Sequence, residues 1–193
     1  MNAPDATRFI LAALDEDLGE NADVTTLSTV AVDTTGEARI VAKSDMVVCG
    51  QSMALQVFET VGNRFGTVSY QACVEDGVRV VAGDVIANLK GSLRSVLIGE
   101  RVALNLMMKL SGIATNTAVH VDAAAGGTLR VVDTRKTTPL LRALEKYAVR
   151  CGGASNHRFG LFDGILIKDN HLVAAGGVKN AIKAARDHGH HLL

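Results

Sequence analysis

The sequence predicts an α/β protein: an N-terminal α+β domain with helices on an antiparallel sheet, followed by βα units that make a parallel sheet. Three observations carry this. Short β-branched runs, GEARIVAK and MVVCG, stand beside helix-like segments in the first half. Two turn signals, Glu75-Asp76-Gly77 and Ala82-Gly83-Asp84, separate short apolar strands within residues 69–92. The last third alternates apolar run, helix, apolar run, helix, which is the order of βα units.

Taken in order, residues 4–18 place Phe9, Ile10, Ala13 and Leu14 on one helical face, with Gly19 as a stop. Asp23–Thr29 is polar and β-branched. Gly36–Lys43 and Met46–Gly50 read as two strands about a short turn, and Gln51–Gly62 as a helix ended by glycine. Ser69–Ser92 is a small strand-and-turn module similar to the hammerhead turns of biotinyl and lipoyl carrier domains. That similarity makes Lys90 a candidate carrier lysine. It sits beyond a strand, without the flanking residues of those carriers, so the segment reads as scaffold.

Ser92–Gly127 is helical in character, with Ser92 as N-cap and Ser111-Gly112 marking a break before a second helix near Ile113. Arg101 lies inside this otherwise apolar stretch. Buried, it needs a carboxylate or a ligand anion; on a solvated face it needs neither. Leu129–Asp133 reads as a strand, Thr138–Gly153 as a helix, Gly164–His171 as a strand and Gly177–Gly189 as a helix. Right-handed crossovers put the carboxyl ends of both strands on one rim, which is where α/β proteins bind ligands. Gly152-Gly153 reads as a helix end, and His188, His190 and His191 as solvated terminal histidines.

Composition sets limits on partners. Lys plus Arg is 20 and Asp plus Glu is 20, so no global field favours nucleic acid or a membrane surface. No apolar run reaches the roughly 18 residues of a membrane span, and the acidic N-terminus is no signal peptide. Cys49, Cys73 and Cys151 are too widely spaced for a disulfide framework or a metal motif; they fit buried reduced thiols of a cytoplasmic protein.

Chemistry concentrates between residues 133 and 171. Arg135, Lys136, Arg142, Lys146, Arg150, Arg158 and Lys168 stand there against Asp133, Glu145, Asp163 and Asp169. Arginine at 135 and 158 suits bidentate recognition of carboxylate or phosphate, and lysine at 136 and 168 supplies point charges. His157 can donate a hydrogen bond or move a proton. Asp133 and Asp169 can hold the cations in place or, less well, Mg2+. With no nucleophile arrangement and no glycine-rich cofactor motif, electrostatic catalysis of group transfer between anions fits best.

GERVALNLMMKLSGIAT (Gly99–Thr115), VVDTRKTTPLLRALEKYAVRCGG (Val131–Gly153), NHR (Asn156–Arg158) and DGILIKDNH (Asp163–His171) resemble quinolinate phosphoribosyltransferase, as does Ala13–Thr26. The resemblance implies that residues 1–108 form an N-terminal α+β domain with a dimerisation role and residues 109–193 the first part of a parallel α/β barrel. It implies transfer of a phosphoribosyl group from phosphoribosyl pyrophosphate, with Mg2+, to quinolinate, giving nicotinate mononucleotide, pyrophosphate and CO2 in NAD biosynthesis. Arg135, Arg158 and Lys168 would bind the quinolinate carboxylates with His157 beside them. Lys136 would sit between quinolinate and the ribosyl centre, and Thr134 would line the pocket. Arg101 would reach the neighbouring site of a homodimer. The family's barrel continues past Leu193, where the expected Mg2+ ligands largely fall. Two parallel strands cannot close a barrel, so this chain alone is expected to have little transferase activity. The alternatives are a non-catalytic dimerisation fragment, or a related transferase-like protein of molybdenum-transport operons.

Overall fold

The computed structural model describes residues 3–188. The chain opens with helix α1 (Thr7–Leu18), which buries Ile10 and Leu14 one turn apart and stops at Gly19, whose N–H reaches the Asp15 carbonyl. Helix α2 (Val24–Thr29) follows, where the sequence showed only a polar, β-branched segment. Its cap outweighs its poor propensity: the Asp23 carboxylate accepts the Thr26 N–H at 3.0 Å and the Thr26 hydroxyl as well.

The two strands expected about a short turn are present but do not pair with each other. Strand β1 (Thr35–Val41) pairs antiparallel with β5 (Val85–Ser92), which also pairs with β3 (Val68–Ala72). Strand β2 (Met46–Val47) instead pairs with β4 (Arg79–Val80) in a separate ribbon. Length decides this, because the seven residues of β1 find a full register only on the eight of β5. Near the end of β5, Gly91 (φ +141°) lets the chain pass the Thr67 carbonyl, which a Cβ would approach to 2.4 Å. Lys90 lies within β5 rather than beyond a strand, exposed and 2.9 Å from Glu37 opposite it.

Helix α3 (Gln51–Phe65) runs through Gly62 and ends at Gly66. Helix α4 (Leu93–Ala123) is continuous over 31 residues, so the expected break at Ser111-Gly112 does not occur. Ser111 is buried and grips Cys49, accepting its N–H at 2.9 Å and donating to its carbonyl at 3.1 Å. Gly112 faces outward, where it weakens the helix by about 1 kcal/mol without ending it. Phe58, Met53, Ile10 and Leu110 form the centre of the core between α1, α3, α4 and the sheet.

Beyond α4 the pattern changes. Helix α5 (Arg142–Cys151) starts later than expected, because Pro139 and Leu140 form a turn with Leu140 at φ +67°. The strand expected at Leu129–Asp133 is reduced to one parallel bridge, Val132 with Ser155, closed by Asp133 N–H to Ser155 O and Ser155 N–H to Val131 O. The strand expected at Gly164–His171 is not formed: residues 164–168 make no ladder among the described residues, and Asp169 begins helix α6 (Asp169–Ala175). A strand exists only through its neighbour, and neither segment has one along its length. Helix α7 (Val178–Asp187) closes the described chain. Gly189, His190 and His191 lie outside the described residues. Among the described residues, no helix is long and apolar enough to cross a membrane.

Candidate functional site

Helix α5 frames the site. Its apolar face, Leu144, Tyr147, Ala148 and Cys151, is buried. Gly152 ends the helix in close contact with α4, where a Cβ would stand 2.4 Å from the Ala114 carbonyl, and Gly153 (φ +91°) turns the chain away. This glycine pair is therefore a helix end, as its place in the sequence suggested.

The opposite face carries Arg142 and Lys146, one turn apart. Lys146 Nζ is 2.5 Å from Asp133 Oδ1, with the two side chains only 4% and 8% exposed, and 3.1 Å from the His157 carbonyl. Asp133 also accepts the His157 N–H at 2.8 Å and Asn156 Nδ2 at 2.6 Å. Asn156 Nδ2 in turn reaches the Lys146 carbonyl at 2.9 Å. The buried Lys146 and Asp133 charges are paired with each other and further hydrogen-bonded, which is the condition under which a buried ion pair holds a structure together. Arg142 completes the frame, with Nε 3.1 Å from Thr137 Oγ1 and Nη1 3.3 Å from the Phe159 carbonyl. One helix thus pins the 133–138 loop against the 156–160 loop.

The residues expected to bind substrate lie on these pinned loops. Arg135 follows Asp133 by two residues, and its Nε is buried with no hydrogen-bond partner. Arg158 donates from Nη1 to the Gly164 carbonyl at 2.6 Å, and its Nε is likewise buried and unpartnered. Thr134 turns its loop by accepting the Lys136 N–H at 3.0 Å, and both side chains are exposed. His157 Nδ1 accepts the Arg158 N–H at 2.7 Å, so the proton of the neutral ring sits on Nε2. Lys168 is exposed at the start of α6, where its N–H meets His171 Nδ1 at 3.0 Å. The Arg158–Gly164 bond links the NHR loop to the segment that leads into Lys168.

Asp163 braces the same loop. Hydrogen bonds from the Phe159 and then the Gly160 N–H hold its carboxyl below the ordinary carboxylate range. Arg101 stands apart, exposed on α4 between Leu97 and Met108, which are 42% and 58% exposed.

Sequence reasoning counted Lys146 and Arg142 among the local cations and Asn156 within the NHR motif but gave none of the three a role. A signal existed: Lys146 sits on the same helix as Leu144, Tyr147 and Ala148, and a lysine among buried positions needs a carboxylate. The described residues do not fit a Mg2+ site. Asp133 is taken up by Lys146, Asn156 and His157, and Asp163 by backbone N–H groups, while Asp169 is exposed at the start of α6 and joins no group of three donor residues among those described. The one grouping of three donor residues among those described is Cys49, Asp76 and Cys151, whose thiols do not suit a hard cation.

Two unpartnered buried guanidinium donors on adjacent pinned loops, with two exposed lysines nearby, suit a ligand bearing more than one carboxylate. Comparison with known proteins gives a consistent family. Residues 23–111 match the model of the quinolinate phosphoribosyl transferase N-terminal domain, and residues 113–193 match that of the C-terminal domain. A probable nicotinate-nucleotide pyrophosphorylase [carboxylating] of Synechocystis is 50% identical over 151 residues, covering 78% of this chain and 50% of that protein. The Mycobacterium leprae nicotinate-nucleotide pyrophosphorylase [carboxylating] is 45% identical over 94% of this chain and 64% of its own length. The crystal structure of NadC from Streptococcus pyogenes superposes with a TM-score of 0.92 at 38% identity, over all of this chain and 68% of that one. The chain therefore spans between about half and two-thirds of the length of these relatives.

Proposed function

The chain belongs to the quinolinate phosphoribosyl transferase family, and from that premise we propose that its 133–168 region binds quinolinate for phosphoribosyl transfer and decarboxylation, a step of NAD biosynthesis. One observation carries the reading: Arg135 and Arg158, on two loops locked together by the buried Lys146–Asp133 pair, each keep a buried Nε–H without a partner. A pyridine dicarboxylate supplies acceptors for both. A pyridine monocarboxylate meets the same two guanidinium charges with a single negative charge, so it is the weaker match.

The roles of the other residues are carried over from the family resemblance, and their exposure on the same loops is compatible with them. Lys168 adds a third cation toward the carboxylates. His157, with its proton on Nε2, donates a hydrogen bond to the ring substituents. Lys136, exposed on the turn formed with Thr134, faces the ribosyl centre and offsets the charge that gathers on departing pyrophosphate. The cations then stabilise the electron pair left on the ring when the 2-carboxylate leaves as CO2. Phosphoribosyl pyrophosphate enters with Mg2+ as part of the substrate. The protein acts as a homodimer in which Arg101 enters the site of the second copy; its exposure between the exposed Leu97 and Met108 supports a covered position. The reaction takes place in the cytoplasm.

Calorimetric titration with quinolinate and with nicotinate tests the central claim. Quinolinate is expected to bind at least about 10-fold more tightly, and Arg158→Ala to remove about 1.5–3 kcal/mol of that affinity. Equal affinity for the two pyridines, or an unchanged quinolinate titration in Arg158→Ala, would sink it.

A further inference from the structure

We propose that Cys49, Cys151 and Asp76 form a binding site for a soft divalent cation of the zinc class, separate from the substrate loops. Both sulfurs and a carboxylate oxygen of Asp76 lie within 4.8 Å of one another. Zinc holds thiolate sulfur at about 2.3 Å and carboxylate oxygen at about 2.0–2.2 Å. Tetrahedral donors at those lengths stand roughly 3.3–3.8 Å apart, so one ion reaches all three after a small inward adjustment.

The donors are fixed in place before any ion arrives. The Cys49 backbone is gripped on both sides by Ser111. Cys151 is the last residue of α5. Asp76 Oδ1 accepts the Gly50 and Gln51 N–H groups at 2.9 and 3.1 Å, and Oδ2 accepts the Tyr147 hydroxyl at 2.7 Å. Outer partners of this kind orient ligating carboxylates in metal sites. Cys49 is fully buried and Cys151 is 8% exposed, so bulk solvent competes little for the donors.

Two sulfurs and one oxygen select zinc or cadmium over magnesium. Binding converts two thiols to thiolates and releases two protons to solvent, leaving a centre of net charge −1. Water would fill the fourth position, with the Tyr147 hydroxyl remaining on Asp76. Because the ion displaces protons from the thiols it binds, its affinity rises with pH. The site joins the start of α3 and the 75–77 turn to the end of α5. A bound ion there would stiffen the helix whose other face pins the substrate loops.

Titration of the reduced 193-residue chain with Co2+ tests this. An intense near-ultraviolet thiolate-to-metal band is expected, saturating at one ion per chain, lost on adding Zn2+, with two protons released per ion. Cys49→Ser and Cys151→Ser should each weaken Co2+ binding by well over 10-fold, whereas Cys73→Ser, at an exposed thiol, should leave it unchanged. Circular dichroism checks that the variants fold. Where a serine variant does not, Tyr147→Phe keeps both thiols and should bind about 10-fold more weakly with the band retained. The proposal is overturned by either of two results: no thiolate band at millimolar Co2+, or unchanged affinity in every folded variant.

Discussion

Residues 3–123 bury Phe58, Met53, Ile10 and Leu110 to 2% exposure or less beside two antiparallel sheets. Residues 124–188 leave Leu140, Val173 and Phe162 at 95%, 83% and 77% exposure and hold a single parallel bridge. The first region is stabilised by apolar burial and backbone pairing. The second is ordered chiefly by side chains bonding to loops: Lys146 and Arg142 on α5, Asp133 and Asn156 beneath them, Asp163 across the next turn. Burial is non-directional and tolerates small shifts, whereas a hydrogen-bonded polar network fixes positions to within a hydrogen-bond length. The difference places rigidity of position where anion recognition needs it, and bulk stability elsewhere.

The sharpest way to break that contrast is to remove one support from each region. Phe58→Ala empties the centre of the core and is expected to cost about 3–5 kcal/mol in urea unfolding, with quinolinate contacts untouched in whatever fraction stays folded. Lys146→Ala leaves the Asp133 carboxylate buried and unpaired; a similar cost of about 3–5 kcal/mol is expected, this time with loss of quinolinate binding in the folded fraction. A Lys146→Ala protein that unfolds at the wild-type urea midpoint and binds quinolinate normally would show that α5 does not organise the loops.

A smaller effect sharpens the boundary between the regions. Burial raises the Glu145 carboxyl, but hydrogen bonds from Thr138 and the Lys109 ammonium at 3.0 Å outweigh it, so its pKa lies below the ordinary value of 4.5. A depressed carboxyl stabilises the fold fully above its unfolded pKa. That contribution disappears as pH falls through the lower, folded value. Thermal melts should therefore lose stability on acidification below about pH 4.5, and Lys109→Met should reduce that loss by about 0.2–1 kcal/mol. An acid limb identical in the wild type and Lys109→Met would remove this tie between α4 and α5 from the account.

What could be read in advance divides along the same line. Helix α1 with its glycine stop, the helix that starts at Gln51, and the Ser92 cap of α4 follow from periodicity and local chemistry, and all three are present. So does the concentration of cations between 133 and 171, because charge is a property of composition. Helix α2 was missed because a single carboxylate, Asp23, overrides a β-branched stretch. The break at Ser111-Gly112 was misread because tertiary packing of Ser111 on Cys49 carries the helix through a weak point.

By itself, then, the sequence determined the family, the helices with strong caps and periodicity, and which residue types could meet an anion. Only the tertiary structure decided which strands pair, that Lys146 rather than another cation is buried against Asp133, and that Arg135 and Arg158 keep their Nε–H groups buried and free. It alone brought Cys49 beside Cys151, 102 positions apart in sequence. The physical reason is that capping and periodicity act over a few residues along the chain. Strand partnership, desolvation of a charge and the meeting of distant donors depend on what the rest of the chain places opposite them.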